Sequence, residues 1–367
     1  MKLYYRAIEG TNTKTRRLAY LTAILKELRQ SSLSEQVLLN RIVTWSLDHQ
    51  ADIYNYYVHT GEITSTRKNS AGTHYLEVTT RAKLIVPLAG MYRITRIGSV
   101  LIALIMRTYQ PNPNPFFLTV PEKLFYSYCL LKTDADLLLT VVDSLFERRD
   151  ISLAILQETF KENFLRRLNN KLLSVQDEAL RQQLRDRKLK VEDEWKKPER
   201  YAEHIVPPRL NWLLDLGFLK AVPFRHHGFE FTDEAQQFIS ALPHFGEFCL
   251  HDVTDQWLDL EYWKVAASTL AGFEFSKNWK EVDEEKQYSL MRTLLAEAFS
   301  VFRYAVVPKI SLLQIMLYLS IRLLLEHQIS AGPSVLTEWF SSAPVIDGQR
   351  YEVRLSPREN ESYLIIL

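Results

Sequence analysis

The sequence predicts a mainly α-helical protein with small β-hairpins, an α+β fold. Two hairpin-bearing units, with a third candidate at the C-terminus, are joined by helical segments. Three observations predict it. Apolar residues recur at helical spacing through most of the chain. A hairpin-like segment beginning at Leu84 is echoed about 137 residues later. The final residues, 350–355 (RYEVRL) and 362–367 (SYLIIL), flank a polar turn at Ser356–Asn360.

Composition bounds the class. With 367 residues, 47% hydrophobic and 24% charged, the chain has material for two or three packed domains, which excludes global disorder. The most apolar run, Ile310–Leu325, is interrupted by Gln314, Ser320 and Arg322. It reads as a buried helix rather than a membrane span, so no membrane partner is expected. The N-terminus lacks an apolar signal region. Two cysteines, Cys129 and Cys249, cannot build a disulfide framework. A cytoplasmic location is expected.

The net charge of +1 conceals a polarity. Residues 1–110 carry 15 Lys and Arg against 7 Asp and Glu, whereas residues 210–367 carry 13 against 21. A basic first third joined to an acidic second half points to nucleic-acid contact by the former and protein contact by the latter.

The elements follow in order. Leu18, Leu21, Ile24, Leu25 and Leu28 mark an amphipathic helix over residues 16–30; Val37, Leu38, Ile42, Trp45 and Leu47 mark a second, beginning at Ser34–Glu35. After the polar stretch 64–72, Thr73–Lys83 reads as a third helix. Two short strands follow, at Leu84–Val86 and Tyr92–Ile94, and then Thr95 as the N-cap of an apolar helix through Ile105. The prolines of Gln110–Pro115 mark a linker. Residues 121–149 read as a helix, and the charged stretch 157–206 as a protruding helix or helical pair with Leu165, Leu168, Leu172 and Leu173 on one face. Pro207–Pro208 is expected to start the helix Arg209–Leu216, with Gly217 ending it in the left-handed region. Ile310–Glu326 and Pro333–Ser341 read as helices of the last part. The expected division is a basic domain 1–110, a helical region 111–206, the end of a second domain over 207–250 that begins within 116–206, and an acidic domain 251–367.

The echo carries a family resemblance. The segments Tyr92-Arg93-Ile94-Thr95 and Phe229-Glu230-Phe231-Thr232 each place a small residue three positions after the Thr, Gly98 or Ala235, and an apolar one six after it, Leu101 or Phe238. Leu216-Gly217-Phe218-Leu219 precedes the second strand pair. This ending resembles that of the winged helix-turn-helix superfamily, in tandem copies; the first copy departs from it in lacking the glycine. The resemblance implies that the helix before each hairpin, or wing, enters a DNA major groove. In the first copy the implied DNA-binding residues are His74, Thr80, Arg81 and Lys83, with Arg67 and Lys68 leading in and Arg93 and Arg96 beside the wing. The acidic Glu77 on the same helix is an objection. In the second copy they are Arg209, Asn211 and a cationic wing tip, Arg225, His226 and His227.

Catalytic signatures are absent. No phosphate-cradle, nucleophile-elbow or zincin motif occurs. The spacing of His244, Cys249, His251, Asp252 and Asp255 matches no zinc pattern, and Glu281, Asp283, Glu284, Glu285 and Lys286 form one charged run rather than a metal-holding array. No cofactor or metal is expected. The leading expectation is a non-enzymatic protein binding double-stranded DNA through its first domain. Its acidic half would contact a partner protein or a second copy, as in a recognition subunit of a bacterial DNA-processing or defence system. The alternative is a protein–protein scaffold subunit of a DNA-organising ATPase complex, and a metal-dependent nuclease ranks a distant third.

Overall fold

A computed structural model describes residues 4–54, 63, 70–107, 112–147, 152–222, 228–302, 307–357 and 361–367. It is mainly helical, with small sheets that are antiparallel save one two-stranded parallel pair. Among the described residues no helix is long and apolar enough to cross a membrane.

The first part contains α1 (Ala19–Glu27), β1 (Leu33–Ser34), α2 (Glu35–Asp48), α3 (Gln50–Tyr54), α4 (Ser70–Arg81), β2 (Ile85–Leu88), β3 (Met91–Ile94) and α5 (Arg96–Met106). The strands form a sheet of order β1-β3-β2. Ala89 and Gly90 both have positive φ, the requirement of a two-residue turn that matches strand twist. Thr95 caps α5 as expected, its hydroxyl accepting from the Gly98 N–H at 3.1 Å.

The second part runs α6 (Val120–Glu147), α7 (Leu153–Ser174), α8 (Glu178–Glu194), α9 (Pro198–Asp215), β4 (Leu219–Val222), β5 (Gly228–Phe231) and α10 (Asp233–Ser240). The protruding helix or helical pair expected over 157–206 is corrected to three helices, of which α7 packs on α6, α8 and α9. Phe160, Phe164 and Leu168 are its buried face, while Leu173 is 74% exposed. Apolar periodicity marked a face of α7 but missed that two aromatics define it. Asp177 caps the start of α8, splitting the charged stretch.

Pro207 and Pro208 lie inside α9 rather than at its start, which is set by Pro198 in the first turn. A proline cannot donate to the carbonyl four residues back. The His204 carbonyl that Pro208 leaves without its helical donor accepts the Thr11 hydroxyl at 2.6 Å. The N-terminal segment thus supplies the hydrogen bond that the proline removes.

The third part comprises β6 (His244–Phe245), β7 (Leu250–His251), α11 (Asp255–Leu260), α12 (Tyr262–Thr269), β8 (Lys277–Asn278), α13 (Glu284–Phe302), β9 (Lys309–Ser311), α14 (Leu312–His327), β10 (Ile329–Ser330), α15 (Pro333–Ser341), β11 (Val345–Ile346), β12 (Gln349–Arg354) and β13 (Tyr363–Ile366). Its main sheet has order β11-β12-β13-β9, and β8 pairs in parallel with β10. The series α13–β9–α14–α15–β12–β13 repeats the order of α1–β1–α2–α4–β2–β3. In both, the first strand pairs with the third and the third with the second.

The echo is reproduced bond for bond. At the end of α9 the Phe218 N–H donates to Leu213 O (2.8 Å) and the Gly217 N–H to Leu214 O (2.9 Å), a Schellman ending with Gly217 at φ +80°. At the end of α4 the Leu84 N–H donates to Thr79 O (3.0 Å) and the Lys83 N–H to Thr80 O (2.9 Å). Here Lys83 occupies the left-handed position, at φ +60°. Thr95 and Thr232 then close each hairpin, their N–H groups donating to Leu84 O and Phe218 O and their hydroxyls to Lys83 O and Gly217 O.

Candidate nucleic-acid interface

α4 turns Tyr75, Leu76, Val78 and Thr79 inward. The Tyr75 hydroxyl accepts the Arg17 N–H at 2.9 Å, fixing the helix to the N-terminal segment. The opposite side carries Thr73, His74, Glu77, Thr80 and Arg81, all at least partly exposed. Glu77 accepts from Nε and Nη2 of Arg81 at 3.2 and 2.8 Å, so the acidic residue holds the guanidinium in place along the helix. The Thr80 hydroxyl donates back to Leu76 O. Burial lowers the pKa of His74 against the opposing pull of Glu77. It therefore presents a neutral imidazole rather than a charge at pH 7.

Lys83, Arg93 and Arg96 are exposed around the hairpin. Lys83 follows α4, and its carbonyl takes the Thr95 hydroxyl (2.7 Å), which brings it to the root of α5 beside Arg96. Arg93 lies on β3 opposite Val86. Arg67 and Lys68 fall outside the described residues. Sequence reasoning missed Lys14, which is exposed and near enough to His74 to depress its pKa further. It also missed that Gly10, at φ +74°, passes the edge of α4; a Cβ there would lie 2.7 Å from Glu77 Oε1. The basic run around Lys14–Arg17 was a signal for the first of these, though Arg17 itself is fully buried.

In the second copy, Arg209 and Asn211 are corrected: both are buried. Arg209 is 0% exposed, its Nε and Nη2 paired with Asp134 at 2.8 and 2.7 Å and its Nη2 donating also to Ile8 O. Asn211 donates to Pro207 O inside α9. The helix face that the resemblance assigned to a groove is covered by α6 and the N-terminal segment. Arg225, His226 and His227 lie outside the described residues.

Arg209 belongs to a buried polar spine. Arg17 pairs with Asp215 (2.9 Å) and Lys171 with both Asp136 (2.5 Å) and Asp252 (3.1 Å). Arg167 pairs with Asp143, which also accepts from His251 at 2.5 Å. At the edge of this spine, buried Arg6 donates to the half-exposed Asp255 at 2.8 Å. Burial raises the pKa of Asp134 and Asp252, opposed by Arg209 and Lys171 respectively. Three members of the metal-like sequence cluster, His251, Asp252 and Asp255, are thereby engaged by protein partners, whereas Cys249 is exposed. In the acidic run, Asp283 accepts the Lys286 N–H and Glu281 the Asn278 N–H, both as helix caps. Among the described residues no three ligand-type side chains converge on a metal position. No protein-family model, curated protein or solved structure matches the chain.

Proposed function

We propose that the chain is a non-enzymatic DNA-binding protein whose N-terminal part is a winged helix that meets duplex DNA with α4 and the β2–β3 hairpin. The observation that carries this reading is the group of outward-facing cations Arg81, Lys83, Arg93 and Arg96 around one helix–hairpin unit. Cations at those places suit phosphate contacts, and the Glu77 carboxylate holds the Arg81 guanidinium along α4. The helix–strand–helix–helix–hairpin order, found in the first and third parts, supports the winged-helix assignment. The acidic remainder serves as a scaffold and a partner surface, and neither part requires a cofactor.

Fluorescence anisotropy of the full chain with a labelled random-sequence duplex across a salt series tests this. Binding should weaken steeply with salt. Changing Arg81, Lys83, Arg93 and Arg96 together to Ala should reduce the log–log slope by about 0.9 for each phosphate no longer neutralised. Absence of binding at low salt overturns it. One observation would then favour the scaffold reading: Val86 and Leu88 on the same hairpin are 43% and 52% exposed, an apolar edge suited to a protein partner.

A further inference from the structure

Lysines withdrawn from solvent in this chain are partnered. Lys171 sits between two carboxylates, Lys161 donates to two carbonyls, Lys188 pairs with Glu192, and Lys132 and Lys309 lie over tyrosine rings. Lys123, on the first turns of α6, is the exception among the described residues. It is half-buried, yet no carboxylate, carbonyl or ring contacts its ammonium. Burial lowers its pKa, and no neighbouring charge opposes the shift. A partly desolvated cation without a counter-charge costs stability, and such costs are retained where a site needs them.

The ammonium faces a half-open cavity of about 310 Å³ between the start of α6, the end of α9 and the root of the β4–β5 hairpin. Phe117, Leu118, Leu214 and Leu219 form apolar walls, and Asn112 offers an amide at the rim. Gly217 makes room for the amine, since a Cβ there would lie 3.2 Å from Nζ. Asp215 also borders the cavity, but its carboxylate is fully buried, held by Arg17 and by the Leu18 N–H.

We infer that this cavity is a binding site for a small organic monocarboxylate with an apolar body, with Lys123 as its counter-ion. One ammonium matches one negative charge. Forked recognition of a phosphate draws on arginine donors, and no arginine is among the lining residues. The apolar sides take the ligand body, and the volume lies at the small end of ligand sites. The site is independent of the DNA-binding reading.

Titration calorimetry of the full chain with benzoate, and with benzyl alcohol as the uncharged control, tests the inference. Benzoate should bind at least about tenfold more tightly than benzyl alcohol, and Lys123→Met should lose that difference. Lys123→Met should also melt no lower than the parent chain, because it removes an uncompensated charge rather than a paired one. No benzoate binding, equal binding of the two probes, or unchanged binding by Lys123→Met overturns the site. A variant melting well below the parent overturns the premise that Lys123 lacks a counter-charge.

Discussion

The α4–β2–β3–α5 and α9–β4–β5–α10 segments share a helix ending, a hairpin and a Thr cap, yet the arginines of their first helices, Arg81 and Arg209, have opposite fates. Around the first, Arg81, Lys83, Arg93 and Arg96 face water. In the second, Arg209 is sealed against Asp134. The backbone pattern is dictated by local chemistry: a left-handed residue after the helix and a Thr before the next one. What each helix can touch is decided elsewhere, by whether α6 and the N-terminal segment cover it. A repeated motif therefore repeats a shape without repeating a role.

The sharpest way to break this contrast is to remove one cation from each segment. Arg209→Met leaves Asp134 buried and unpaired, and should cost about 3–5 kcal/mol in urea unfolding. Arg209→Met with Asp134→Leu should recover much of that loss. The quadruple Ala variant of the exposed cations should alter stability by less than about 0.5 kcal/mol per site while weakening DNA binding. Comparable destabilisation by both would erase the distinction.

A smaller effect is expected at the margin of the spine. Burial, opposed by Lys132, raises the Asp259 carboxyl from its ordinary 3.8 to about 6. The folded chain therefore holds this proton more tightly than the unfolded chain. Its contribution is fully present below the ordinary value and is lost as pH rises through the raised one. The melting temperature of Asp259→Asn relative to the parent should accordingly rise between about pH 4 and pH 6. A flat difference would show that Asp259 is solvated like a surface group.

The smallest effects compare the two helix endings directly. Lys83 holds a left-handed conformation that glycine adopts more cheaply, so Lys83→Gly should stabilise the chain by about 1 kcal/mol while removing one exposed cation. Gly217→Ala should destabilise by a similar amount. Thermal unfolding of the pair checks both signs.

Much of the local architecture was legible in the sequence, because caps and turns act over a few residues. Thr95 and Gly217 occupy the positions read for them, and Thr232, the echo of Thr95, caps α10 in the same way. The C-terminal hairpin pairs Tyr351–Arg354 with Tyr363–Ile366, close to the strands expected. The interior course of α9 was not legible, since a Pro-Pro pair ordinarily starts a helix and here interrupts one whose carbonyl is satisfied by Thr11, far away in sequence. The candidate interface was legible in its exposed cations and illegible in Arg209, whose partner Asp134 is 75 residues distant. Charge tells where a residue could act; only packing tells whether it is available.

The spine also sets an order of events for a chain emerging from a ribosome. The carboxylates that pair with Arg17 and Arg6, those of Asp215 and Asp255, are made 198 and 249 residues later. The basic N-terminal part is thus synthesised first and completed late, closing long loops before its own segment can settle. Severing the chain between α5 and α6 would part Arg17 from Asp215 and Arg6 from Asp255, so the first part's native ion pairs depend on residues translated after it.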